Sequence, residues 1–413
     1  MNKLKRNIIF ILIFICISSG CTVTEIIHAE QTSLDKASIK LSESLLLDIG
    51  ILNFDTGIPE ENNVEETQIY PEVREAEARY LPYHLKTTLQ DTGFWGAVRV
   101  IPSSNVKTDL YINGEIIESD GEFVSINLVA EDIIGQQWFK KNYSMQTGIS
   151  SYADYRDRSQ DPYQKIFNDF ANDLYGYLIT LDPHYVSKIR LTSELLFFSD
   201  MAPNIFGEHY ELNKNNQIHL IRLPAENDPM VNRLRRIRER DRLVVDTLNE
   251  HYANFYYGVA LPYEGWRKLS REQSVVFRQT KKTAVKRALL GAAVVVGSAS
   301  VDVGGSSYSR YRAERIAQSA AINRGWRTIM DAFRQYQAAD IHREEIKELS
   351  ESFVAEAAPL VVQVEGETMR LTGTAEAQYE AWRKMLRDIY ESETGFNNNI
   401  QMSDPVRSQQ PSI

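Results

Sequence analysis

Apolar positions change their period several times along the chain, and each change marks an element. Leu45, Leu46, Leu47, Ile49, Ile51, Leu52 and Phe54 form a nearly unbroken run that stops at Asp55, Gly57 and Pro59. That is the pattern of a mostly buried strand. An acidic loop, Glu60-Glu61-Asn62-Asn63, leads to a helical stretch over 72–91. Pro71 suits the first helical position, Pro82 interrupts the stretch and Gly93 closes it. Residues 97–101 read as a second strand. Leu110, Ile112, Gly114 and Ile116 then alternate on one face ahead of the turn Ser119-Asp120-Gly121. Residues 123–130 return, 132–135 turn again, and 137–143 complete a meander. The order β-α-β-β-β predicts a small sheet domain over 45–150 with its helix covering one face.

Spacing then shifts to the helical period. Tyr163, Ile166, Phe167, Phe170, Ala171, Leu174 and Leu178 step at intervals of three to four behind Asp161-Pro162. Asp182-Pro183 opens another helix carrying Ile189, Leu195, Leu196 and Phe198. Asp228-Pro229 opens a longer one with Met230, Leu234, Ile237, Val244, Leu248, Tyr252, Phe255 and Val259 on one side. Ser270-Arg271-Glu272-Gln273 matches a capping box and predicts a fresh helix start. The stretch 151–340 is therefore expected to be a helical domain. Over 341–400 a helix (Ile346, Leu349, Phe353), a hairpin through 360–374 and a second helix (Tyr379, Trp382, Leu386, Ile389) give a small α-β-β-α unit. Residues 401–413 read as a polar tail. The fold class is α+β.

Composition bounds the chemistry. The chain has 413 residues, 43% hydrophobic and 25% charged, as in a folded globular protein. A net charge of −10 argues against general nucleic-acid binding, whose affinity comes from Lys and Arg. Two cysteines exclude a disulfide-rich scaffold and a multi-cysteine metal site.

The first 20 residues read as a secretion signal. Lys3, Lys5 and Arg6 precede an apolar stretch from Ile8 to Ile17, too short to span a bilayer. Ser18, Ser19 and Gly20 then lead to Cys21. This resembles the bacterial lipoprotein lipobox, although Ser18 stands where that family has Leu. The resemblance implies cleavage before Cys21 and its lipidation, with 21–44 as a tether. Thr22 implies, by the same resemblance and for a Gram-negative source, export to the outer membrane. Processing removes three cations and no acid, taking the charge from −10 to −13. It also removes Cys16 and consumes Cys21, so no free thiol is left for nucleophilic chemistry.

The β-α-β-β-β order behind an export signal resembles envelope domains such as the N-terminal domain of the Tol-system propeller protein and the core of the curli-secretion lipoprotein. That resemblance is topological and brings no active-site residue. Val362, Val364, Gly366, Leu371 and Gly373 stand where BON domains have strand and turn residues. The resemblance to that family, often linked to phospholipid binding, implies a final strand near Gly395, Phe396 and Ile400.

Several groups carry two readings. Arg233, Arg235, Arg236, Arg238, Arg240 and Arg242 fall within ten residues, with Glu239 and Asp241 among them. They form an anion- or lipid-binding face, or a solvated helix surface whose arginines point around the polar arc. The apolar run from Ala288 to Val301 is a buried helix, or a segment that dips into the bilayer or docks on another subunit, with Lys281, Lys282, Lys286 and Arg287 in front. Trp266-Arg267, Trp326-Arg327 and Trp382-Arg383 are expected to be buried tryptophans beside exposed arginines. Seven scattered histidines make no metal motif, and nucleophile-elbow, P-loop and dinucleotide signatures are missing. Glu115 and Glu131 are a carboxylate pair that the meander could bring face to face.

These readings lead to a non-catalytic, lipid-anchored adaptor or scaffold on the periplasmic face of the outer membrane. Its expected partners are the membrane, through the anchor, and an envelope protein. No cofactor, metal or nucleic acid is called for. A phospholipid- or peptidoglycan-binding module is the first alternative, and a carboxylate-dependent cell-wall hydrolase the second.

Overall fold

The computed structural model describes residues 32–38, 42–62, 64–153, 161–225, 227–298, 337–355, 360–364 and 367–394, with some side chains inside its elements, including all of 280–298, outside the described set. The signal, Cys21, Trp326, the side chains of the 288–301 run, the expected final strand and the tail lie outside it as well.

Five strands form a mixed sheet in the order β2-β1-β3-β4-β5. They are β1 (Ile49–Ile51), β2 (Val98–Val100), β3 (Leu110–Ser119), β4 (Phe123–Asp132) and β5 (Gln137–Gln146). Strand β1 is parallel to both its neighbours, and β3 to β5 are an antiparallel meander. The expected β-α-β-β-β order holds, but the run 45–54 yields only three strand residues. Glu43–Leu45 form a 3-10 turn before it. Phe54 leaves the sheet because its N–H donates to the Ala78 carbonyl of helix α1 (Pro71–Thr92), at 2.9 Å.

That bond also explains why Pro82 does not interrupt α1. A proline in a helix has no N–H for the carbonyl four residues back, which here is Ala78. Phe54 supplies the missing donor from outside, so the helix continues to Thr92 and ends at Gly93 in the left-handed region (φ 72°). The apparent breaker is where strand and helix are joined.

Leu110, Ile112 and Ile116 of β3 and Val124, Ile126, Leu128 and Ala130 of β4 are buried beneath the helices. The opposite face carries a polar ladder of Glu115, Ser125, Asn127 and Asn142. Helix α2 (Gln164–Leu178) lies beside α1 and over β5, and α3 (Pro183–Met201) follows it. Asp182 caps α3 as its sequence suggests, whereas α2 starts two residues after Pro162, with Tyr163 at its N-cap and Asp161 in the turn before it. The Asp161, Asp182 and Asp228 carboxylates accept N–H bonds from Tyr163, His184 and Met230. A short hairpin after α3, of β6 (Tyr210–Leu212) and β7 (Ile218–Leu220), has no counterpart in the sequence reading.

Helix α4 (Pro229–Ser298) has 70 residues, about 105 Å at ~1.5 Å each. It passes through Ser270 without a break, so the capping box is not a start. Ser270 is buried, and Ser274 Oγ donates to the Asp120 carbonyl of the β3–β4 turn. That turn docks on α4 at close range. A Cβ on Gly121 (φ +82°) would lie 2.1 Å from the Arg267 carbonyl oxygen. Arg278 holds the same turn through Glu118 (2.7 Å), Asp120 and Glu122.

Helix α5 (Gln337–Ala355) packs on α4 and α1, followed by the hairpin β8 (Leu360–Val364) and β9 (Glu367–Leu371) and by α6 (Ala375–Thr394). This is the expected α-β-β-α order. Buried side chains from Leu47 to Tyr390 belong to one apolar cluster, with α4 as the shared spine. Part of the expected tether is also fixed to the body. Asn168 and Asn172 of α2 hold the Thr32 and Ser33 carbonyls and the Asp35 N–H, and the Ala37 N–H donates to the Thr92 carbonyl.

Candidate functional site

Arg235, Arg238 and Arg242 recur at intervals of three and four on α4 and therefore share a face. The facing helix α3 contributes Arg190, Leu191 and Glu194, and Asp109 enters from the residue before β3. With Glu239 they line a cavity of about 330 Å³. Four guanidinium groups and three carboxylates thus meet at one place.

Most of these charges are paired. Arg235 donates to both Glu194 oxygens, at 2.9 and 3.2 Å. Arg242 bridges Glu239 (2.9 Å) and Asp48 (3.3 Å). Arg190 is held by the Glu43 carbonyl. Arg238 differs: it is only 9% exposed, and its Nη2 donates to Ser193 Oγ at 2.6 Å. Among the described residues no carboxylate lies within 4 Å of its guanidinium. Burial, with the like charge of Arg242 adding to it, depresses this guanidinium below the usual arginine range. Ser193 in turn hydrogen-bonds Asp109, whose buried carboxyl is pushed up and whose Oδ2 accepts the Asp48 N–H.

The six arginines therefore divide. Arg235, Arg238 and Arg242 converge, whereas Arg236 and Arg240 are exposed elsewhere and the half-buried Arg233 lies toward Tyr390. An arc of outward-pointing arginines describes only half the set. Arg190, Ser193 and Asp109 belong to the site and were not expected. Arg190 and Glu194 sit at i, i+4 on α3, but nothing in the sequence says which helix they face.

The Trp-Arg pairs also differ from expectation. Trp266 and Trp382 are buried, but so are Arg267 (1%) and Arg383 (2%). Arg267 makes two 2.8 Å bonds to the Asp161 carboxylate. Burial alone would raise that carboxyl, and the Arg267 charge overrides it and holds it well below the usual range. Beside it, the fully buried Glu77 accepts from Ser119 (2.5 Å) and Tyr263 (2.6 Å), and burial raises its pKa. These polar atoms are directed at one another and bind α1, β3 and α4 together. Arg383 contacts Asp200, and Tyr379 donates to Asp241 at 3.3 Å, fixing α6 to α3 and α4.

The expected carboxylate pair is not formed. Glu115 stands opposite Asn127, and Glu131 opposite Tyr111. The pairing separates them by four residues along the ladder, about 14 Å at ~3.4 Å per residue. Among the described residues no group of three His, Cys, Asp or Glu is placed to hold a metal ion, and no helix is long and apolar enough to cross a membrane.

No family model, curated protein or solved structure matches this chain.

Proposed function

We propose that the protein is a lipid-anchored, non-catalytic adaptor on the periplasmic face of the bacterial outer membrane. The observation that carries this reading is Gly20-Cys21 placed directly behind a short charged-then-apolar leader. Two features of the body support it. Ten residues separate Cys21 from Thr32, where α2 takes hold of the chain, so the anchor reaches at most about 40 Å from the body. A tether this short keeps the folded part beside the membrane. The long helix α4 meanwhile joins the sheet, α3, α5 and α6 in one unit, a suitable scaffold for holding a partner in fixed geometry.

The test is fractionation of cells expressing the wild type or Cys21→Ala. Sedimentation of the wild type with outer membranes and release of the variant to the soluble fraction support the anchor. Full membrane recovery of the variant overturns it. Crosslinking in cells then tests the adaptor role, which requires a reproducible envelope-protein adduct.

One observation favours a second reading, binding of an anionic lipid or glycan: Arg235, Arg238 and Arg242 meet Arg190 at one cavity. The hydrolase reading has no such support, because the carboxylate pair it rested on is not assembled.

A further inference from the structure

We infer that the cavity between α3 and α4 is a binding site for a phosphate group borne on a small hydroxylated moiety, with Arg238 as its buried anchor and Arg190, Arg235 and Arg242 as its rim. The inference deepens the second reading above and does not depend on lipidation at Cys21.

The first argument concerns charge. A buried guanidinium is costly unless a partner compensates it. Arg267, on the same helix, has such a partner in a bidentate carboxylate. Arg238 has a neutral hydroxyl, Ser193 Oγ, and faces open volume, while the Asp109, Glu194 and Asp48 carboxylates act on it only from beyond 4 Å. It is the one lining arginine with neither a carboxylate within 4 Å nor substantial exposure, apart from Arg190, which is held by a backbone carbonyl. No carboxylate pairs with it directly, and the cavity in front of it leaves room for an anion that does.

Size and donor geometry then select the ligand. A volume of about 330 Å³ lies at the small end of ligand pockets. Planar guanidinium forks suit the oxygens of phosphate better than a lone carboxylate, and several arginines can share its non-bridging oxygens. The lining is not purely basic. Glu194 and Glu239 accept hydrogen bonds at the rim, and so would receive hydroxyl groups on the moiety that carries the phosphate. A bare polyanion would meet those carboxylates as repulsion. Glycerol phosphate has the required chemistry, whether free or as the headgroup of an anionic phospholipid.

The experiment uses the full-length protein in uncharged detergent micelles. Glycerol 3-phosphate is titrated calorimetrically, with glycerol as the control. In a second arm, vesicles of phosphatidylglycerol and of phosphatidylcholine are floated with the full-length Cys21→Ala chain. Wild type, Arg238→Gln, Arg190→Gln and the off-site Arg236→Gln are compared. Arg238→Gln removes the charge, and its fold is checked by circular dichroism. Arg190→Gln, at the rim, serves if Arg238→Gln fails to fold. The proposal expects saturable binding to glycerol 3-phosphate or to phosphatidylglycerol, weakened about tenfold or more by either cavity substitution and unchanged by Arg236→Gln. Binding of the free compound alone identifies a soluble ligand; binding of the vesicles alone identifies a headgroup. No saturable binding in either arm, or binding indifferent to both cavity substitutions, overturns the proposal and leaves the adaptor reading to its own tests.

Discussion

Arg267 and Arg238 are carried by one helix, are both buried, and have different surroundings. Arg267 lies over the Tyr163 and Tyr263 rings and gives two hydrogen bonds to Asp161. Its charge is matched by a carboxylate in direct contact, although its Nε has no hydrogen-bond partner among the described residues, and the match joins the loop before α2 to α4. Arg238 has one neutral partner and a cavity in front of it. Burial alone therefore does not separate architecture from function. What separates them is whether the protein places an opposite charge in direct contact with the buried one. Asp241, one turn past Arg238, is a partial case with the sign reversed: it is buried, Tyr379 donates to its Oδ2 with Arg383 4.0 Å away, and its Oδ1 has no hydrogen-bond partner among the described residues.

The largest expected effect comes from breaking the matched pair. Arg267→Ala strands the Asp161 carboxylate in the interior and should lower stability by about 3–5 kcal/mol. Urea unfolding of wild type and variant measures it. The double variant Arg267→Met with Asp161→Leu should recover most of the loss, because the charge and its partner leave together. If the double variant is no better than the single, packing against the tyrosine rings, and not charge matching, is what Arg267 supplies.

Asp241 is next. Burial raises its carboxyl to about 7, against the opposing pull of Tyr379, Arg238 and Arg242. A folded-state pKa above the unfolded value of ~3.9 means that the native state holds the extra proton between those limits. Its stabilising contribution is complete below about pH 4 and is lost as pH rises through about 7. The gap amounts to up to about 4 kcal/mol at ~1.36 kcal/mol per pH unit. Asp241→Asn mimics the protonated form. It should therefore be more stable than wild type by up to about 4 kcal/mol at pH 8, by about 1.5 kcal/mol at pH 5, and nearly equal to it at about pH 4 and below. Equal urea midpoints at all three pH values would mean that Arg383, 4.0 Å away, already neutralises the carboxylate.

The mismatched arginine should be the cheaper one to remove. In phosphate-free buffer Arg238→Met should change stability by no more than about 1 kcal/mol, since a buried unpaired charge replaced by a residue of similar volume loses little. A loss approaching that of Arg267→Ala would show that Ser193 and Asp109 compensate Arg238 internally, and the contrast between the two arginines would disappear.

The sequence carried the alternation of β3 and β4, the aspartate-proline helix starts and the close of α1 at Gly93, because each is decided by neighbours in the chain. Pro82 and Ser270 misled for one reason. Pro82 is rescued by Phe54, 28 residues earlier, and Ser270 is enclosed by a hairpin turn 150 residues before it. Local rules describe a segment's own preference, and tertiary contacts overrode both. The same limit applies to the site. The arginine cluster was visible, but which three of the six converge depends on how α3 crosses α4. Arg267 and Arg383 read as exposed because arginine usually is, and their partners Asp161 and Asp200 are distant in the chain.

The smallest effect tests where the cavity ends. Arg235 and Glu194 form a well-aligned bidentate pair, yet Arg235 is 47% exposed in its side chain. Solvent screens such a pair, so Arg235→Gln should cost about 0.5 kcal/mol or less, and less again at high salt. Its consequence for an anion is different in kind. Freed from Arg235, Glu194 turns a rim acceptor into an uncompensated negative charge at the mouth of the cavity. Arg235→Gln should therefore weaken anion binding by more than its stability cost suggests, and Glu194→Gln should strengthen it. Calorimetric titrations of the two variants, compared at low and high salt, measure this directly. Identical affinities for both would place Arg235 and Glu194 outside the site and confine it to Arg190, Arg238 and Arg242.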